Sequence, residues 1–253
     1  MKFTHKQKSK KLRASAMLGP IVFWTLLGLS SLYTKNHNEK IIKNYIKNDL
    51  KYEMANQEQI LGIKYLGTPN IEYHMQPEII NLAPGAYDAE TDTIYINLHL
   101  LTERKSLKQD LLRVKKTLNH ELGHFYTDKL SERLGKKDLF KFARGENYLG
   151  VEVYPERLIL EGIAEYFDIE VNGGAHSFKD TDWPTDLDAF NKTTAIYLGG
   201  YHLVKPIIDL YGEKGIECLI QNMPTKEDLL DIPEYQNKIL GKLEEKTMWF
   251  LFE

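Results

Sequence analysis

Two histidines four residues apart bracket an acid in the run His120-Glu121-Leu122-Gly123-His124. At 100° per residue they project from nearly the same side of a helix, one turn apart, so both imidazoles can reach one metal ion. Glu121 sits beside the same opening, free to act as a base rather than a ligand. With 8 His and 36 acidic residues in 253 positions, this pattern is expected by accident far less than once. A third protein ligand is needed to make a site. Downstream, Leu160-Glu161-Gly162-Ile163-Ala164-Glu165-Tyr166-Phe167 carries two acids four apart, on one face of a second helix. The other members of that run are apolar or Gly, and a carboxylate in such surroundings needs a cation, a hydrogen-bond donor or a metal. Glu161 as metal ligand and Glu165 as acceptor from a ligating histidine satisfy both.

H-E-x-x-H followed on a later helix by Glu161-Gly162-Ile163-Ala164-Glu165-Tyr166 resembles the gluzincin metallopeptidases, which include the thermolysin-like and aminopeptidase N-like families. It is nearest in style to their small single-domain relatives. The resemblance implies one Zn²⁺ held by His120, His124 and Glu161, with Glu121 as general base and Glu165 as the acid that orients the first histidine. Such enzymes stabilise the oxyanion with a tyrosine or histidine on a later helix. Tyr197-Leu198-Gly199-Gly200 matches the Tyr-x-x-Gly context, with Tyr201 and His202 as close competitors. The family's substrate-binding edge strand precedes the active-site helix, which assigns Ile94 to Leu98 to it. The likeness covers roughly residues 85 to 212, with dense motifs only at 120–124 and 161–166. G-x-M-E-N is absent, so exopeptidase activity is not supported. The metzincin continuation after His124 is missing, and one hydrophobic segment cannot build the multi-span core of the prenyl-protein peptidases.

Composition narrows the chemistry further. A net charge of −3 gives no electrostatic case for nucleic acid as a partner. Cys218 is the only cysteine, which removes internal disulfides and thiolate zinc sites, and the cysteine ligand of peptide deformylases is missing. Any metal is therefore held by histidine and carboxylate. The implied partner is a peptide or protein substrate. A membrane-tethered, non-catalytic zinc-binding interaction module and a zinc hydrolase of a non-peptide amide are the alternatives. Structural zinc sites usually close with a fourth protein ligand, which weighs against the first.

The elements that must position these residues follow from periodicity. Apolar residues at Ile41, Ile42, Tyr45, Ile46, Leu50 and Tyr52 predict an amphipathic helix over about 39–60. Short β-like runs follow from Leu61 to Leu82, then a hairpin opens at Pro84-Gly85. Its first arm ends at Tyr87, its turn spans Asp88 to Asp92, and its second arm is Thr93 to Leu98. Ile94, Ile96 and Leu98 alternate with Thr93, Tyr95 and Asn97, a half-buried pattern. From about Ser106, Leu107, Leu111, Val114, Leu118, Leu122 and Phe125 form a core-facing stripe, with both histidines on its flank. Gly123 is costly inside a helix and marks close approach by another element. A second helix is expected over Pro155 to Ile169 and a third over Phe190 to Tyr211. Shorter ones are expected near 215–222, 225–230 and 233–243, with Thr225-x-x-Asp228 as a capping arrangement. The expected fold is α+β and zincin-like: a small N-terminal sheet with an edge strand over the active-site helix, then a mainly helical C-terminal half.

The amino terminus is different in character. Residues 1–13 form a basic lead, and Ala14 to Tyr33 run without a formal charge, long enough to span a bilayer as a helix. This predicts a signal-anchor, with a cleaved signal peptide as the rival, a linker over 34–40 and a metallopeptidase domain over 41–253. The expected localisation is the cell membrane, single-pass, with the catalytic domain outside the cytoplasm, or secreted after cleavage.

Overall fold

The structure is a computed structural model, and it describes residues 36–74, 83–102, 106–136, 139, 155–172 and 193–249. Helix α1 covers residues 36–61 and buries Ile42, Ile46, Met54 and Leu61, the stripe its periodicity demands. Three strands follow: β1 (Asn70–His74), β2 (Gly85–Asp88) and β3 (Thr93–Asn97). A short helix α2 (Leu98–Leu101) leads into the 27-residue α3 (Leu107–Arg133). Then come α4 (Pro155–Asn172), α5 (Thr193–Tyr211), α6 (Glu213–Gln221), a 3₁₀ turn at Asp228–Leu230 and α7 (Ile232–Trp249). The architecture is α+β, mostly helical with one small mixed sheet.

The sheet has the order β1-β3-β2, with β1 parallel and β2 antiparallel to β3. The hairpin expected at Pro84 is therefore β2–β3, its turn passing through Asp92 at φ 52°. Placing the edge strand at Ile94 to Leu98 was incorrect. β3 is the central strand, hydrogen-bonded on both sides, and β2 is the edge strand that packs on α3. Being central also explains why Thr93 and Asn97 are buried along with Ile94 and Ile96 where strict alternation would expose them.

Helix α3 is the spine of the molecule. Val114, Leu118, Leu122 and Phe125 are fully enclosed against the sheet and α4. Behind it, α1 is joined by polar contacts as well as apolar ones: Gln57 Nε2 donates to Asn119 Oδ1 at 2.9 Å, and the Tyr65 hydroxyl reaches Gln57. Helix α4 crosses α3 at Gly123, and α5 crosses α4 at Gly162 and Gly200. A Cβ on Gly123 would lie 2.7 Å from Ala164 Cα, and one on Gly162 only 2.4 Å from the Gly200 carbonyl carbon. Both crossings are backbone against backbone, which only glycine permits. Pro206 inside α5 supplies no N–H for the His202 carbonyl; Gln236 Nε2 from α7 donates to that oxygen at 3.1 Å. The capping arrangement forms as expected, with Thr225 and Asp228 exchanging backbone-to-side-chain bonds of 2.8 and 3.2 Å. Only the 3₁₀ turn follows it.

The single-pass membrane localisation is corrected, and nothing among the described residues supports the secreted alternative. Among the described residues no helix is long and apolar enough to cross a membrane. The long helices are amphipathic, each turning one side into the common core: even α5, the most apolar of them, carries Lys205 and Asp209 and packs on α4. Residues 1–13 and 14–33, on which the transmembrane and signal-anchor readings rested, lie outside the described residues.

Candidate metal centre

Helix α3 presents His120 and His124 one turn apart, their rings 4.8 Å between centroids and almost perpendicular. Both are partly buried, on the flank of the core stripe. The crossing at Gly123, within the turn that joins them, brings α4 close enough for Glu161 to reach both. Glu161 Oε2 lies 3.3 Å from His120 Nε2 and 3.4 Å from His124 Nε2. The three ligand atoms fall within 4.8 Å of one another. With metal–ligand bonds of roughly 2.0–2.1 Å, a tetrahedron has edges of roughly 3.3–3.4 Å, the two separations seen here.

The electrostatics suit a cation. Glu161 Oε2 is buried, and no described group donates to it in hydrogen-bond geometry. A buried carboxylate oxygen aimed between two imidazole nitrogens is an arrangement that a metal completes. Despite burial, the His120 and His124 imidazoles hold the Glu161 carboxyl well below the usual carboxylate range. Burial alone would depress His120, yet the Glu161 and Glu165 carboxylates hold it well above the usual imidazole range. The residues fit a metal ion.

The surrounding groups are placed as follows. Glu165, one turn beyond Glu161, puts Oε2 3.4 Å from His120 Nδ1, the nitrogen facing away from the ligand cluster. Glu121 is 6% exposed and is not among the clustered ligand atoms. Burial pushes its carboxyl above the usual range, opposed by the two histidines and by the Tyr87 backbone N–H that donates to it. Tyr197, one turn before Gly200 on α5, sets its ring 5.6 Å from that of His120. The two competitors lie elsewhere. Tyr201 donates to Glu170 Oε1 at 2.9 Å, further along α4, and His202 lines a cavity with Lys205, Asp209 and Gln236.

Three neighbours of the cluster were not singled out from the sequence. Arg157 Nε lies 3.6 Å from Glu161 Oε1, so the two carboxylate oxygens face different partners. Its place four residues before Glu161 is a readable signal. Gly85 and Tyr87 on β2 lie against Glu121, and neither has a spacing that announces it.

Two helices thus supply a His/His/Glu cluster beside a buried carboxylate, a candidate metal centre. No family model, curated protein or solved structure matches the chain.

Proposed function

We propose that the protein is a zinc-dependent peptidase of the gluzincin type with a zincin-like fold, cleaving within peptide chains. The observation that carries this reading is the approach of one Glu161 oxygen to both Nε2 atoms at tetrahedral-edge separations, with a buried acid alongside. His120, His124 and Glu161 would hold the ion, three protein ligands being the number that catalytic zinc sites use. Bound there, zinc would acidify water toward a pKa of about 7 and polarise a carbonyl. Glu121 accepts the proton of the attacking water on its carboxylate and delivers it to the departing amine, and a carboxyl raised by burial suits that double task. Glu165 takes the His120 Nδ1 proton in a hydrogen bond, which directs Nε2 of that imidazole to the ligand cluster. Tyr197 supplies a phenolic donor to the developing oxyanion. The substrate lies extended along β2, adding backbone hydrogen bonds to the edge strand.

The experiment uses the full chain. Wild type should hold one zinc per molecule and cleave members of a fluorogenic peptide library. Glu121→Gln should keep the zinc and lose about 10²–10⁴-fold in turnover, while His124→Ala should lose the zinc. Wild-type turnover in Glu121→Gln, or a wild type without bound zinc, rejects the reading.

A further inference from the structure

The edge strand has few backbone groups to spare, and one of them is committed to the helix beneath it. The Asn97 N–H donates to the Pro84 carbonyl at 2.9 Å. In the register Gly85↔Ile96 to Asp88↔Thr93, the ladder bonds then fall at Ala86–Tyr95 and Asp88–Thr93. The backbone groups of Gly85 and Tyr87 therefore point away from β3. The Tyr87 N–H uses that direction to donate to the Glu121 carboxylate.

The other end of the same residue is fastened to the same helix. The Tyr87 hydroxyl lies 2.8 Å from Oδ2 of buried Asp128 and 3.1 Å from Asp92 Oδ1. Asp128 follows Glu121 by seven residues, two turns along one face of α3. Between them the Tyr87 ring meets Phe125 edge-on at 5.9 Å. Lys129 Nζ adds a 2.7 Å ion pair to Asp92, securing the hairpin turn. Close approach is possible because position 85 has no side chain: a Cβ there would lie 2.5 Å from Thr117 Cγ2 and 3.0 Å from Glu121 Oε1.

We infer that Tyr87 is a positioning residue, hooked to Asp128 through its hydroxyl and holding the Glu121 carboxylate through its backbone N–H, so that the cleft wall and the proton acceptor form one rigid unit. The catalytic part of this inference rests on the peptidase reading; the structural part does not. A tyrosine that merely packs on Phe125 would tolerate loss of its hydroxyl, and its outward amide would exchange with solvent as strand-edge amides do.

The test therefore has two readouts on the zinc-loaded full chain. The first is amide hydrogen exchange. The Tyr87 N–H should exchange at least tenfold more slowly in wild type than in Glu121→Ala, while that of Ala86, bonded to β3, stays the same. Equal Tyr87 rates in the two proteins overturn the inference whether or not any peptide is cleaved. The second is kinetic. Tyr87→Phe and Asp128→Leu should each lower kcat about tenfold with zinc content and KM within twofold, and the double variant should lose no more than either alone. Asp128→Asn keeps an acceptor for the hydroxyl and should restore most of the rate. Wild-type kcat in Tyr87→Phe, or additive losses in the double variant, overturn the positioning role. A wild type that cleaves no peptide rejects the peptidase reading and leaves the exchange result to decide the hook.

Discussion

Replacing Gly123 by alanine tests whether the metal centre depends on the helix crossing. The new methyl would stand 2.7 Å from Ala164 Cα and 3.2 Å from Phe167 Cβ, where ordinary contact begins near 3.4 Å. The backbone atom cannot swing aside, so α3 and α4 must separate by about 0.7 Å, the difference between 3.4 and 2.7 Å. The same movement takes Glu161 Oε2 from 3.3–3.4 Å to about 4 Å from the two Nε2 atoms. A site whose bonds tolerate about 0.2 Å then loses the fit of its third ligand. Zinc affinity should fall by about 10–100-fold, the range seen when the support of a ligand is disturbed. Fold stability should change less. Overpacking costs about 1–3 kcal/mol, and alanine's better helix propensity returns about 1 kcal/mol. The metal-free protein should therefore melt only a few degrees lower, at about 2–4 °C per kcal/mol. The assay is a chelator-competition zinc titration beside thermal melts with and without zinc, since a ligand of the folded state raises Tm by mass action. Gly123→Ala with wild-type zinc affinity would refute the dependence of the site on this crossing.

Two further expectations use the same measurements. Gly162→Ala, whose methyl would strike the Gly200 carbonyl at 2.4 Å, should destabilise the fold by about 1–3 kcal/mol, whereas Gly241→Ala in α7, with no atom within 4 Å of the new methyl, should stabilise it by about 1 kcal/mol. Melts showing the same sign for both would contradict the packing of α4 on α5. Zinc affinity should rise with pH, by about tenfold per unit while one proton is displaced, because the raised pKa of His120 means that it carries a proton until metal replaces it. The same raised pKa stabilises the metal-free fold below the unfolded imidazole value of about 6.5, and that contribution is lost as pH rises through the folded value. Chelator titrations giving a flat affinity from pH 6 to 8 would dispose of the proton competition.

Helices were the legible part of the fold. The stripe from Leu107 to Phe125 and the run from Pro155 repeat at helical spacing because each buries one face against the same core, and both helices form. The sheet was legible as a hairpin but not in its order. Alternation in Thr93 to Leu98 says that one face is buried; it carries no information about how many neighbours the strand has. That β1 pairs on the far side of β3 depends on contacts more than twenty residues apart, which local pattern cannot express. The edge strand that packs on α3 is β2, and β3 lies between β1 and β2.

The candidate site divides along the same line. His120, His124, Glu161 and Glu165 were readable because helical geometry fixes how residues four apart relate, and one crossing suffices to join the two pairs. Which of Tyr197, Tyr201 and His202 lies beside the histidines depends on the crossing angle of α5 on α4. Residues at 197 and 201 lie on the same side of α5, yet only the first falls beside His120 once Gly200 seats on Gly162. The setting of Glu121 was least visible, because its support is a backbone N–H from a strand 34 residues earlier in the chain. A backbone donor leaves no residue type to recognise. What the sequence does record is the space it needs: the glycine at 85, without which β2 could not come within reach of the acid. The candidate ligands are thus written in side chains, while the placement of the buried acid beside them is written in a missing one.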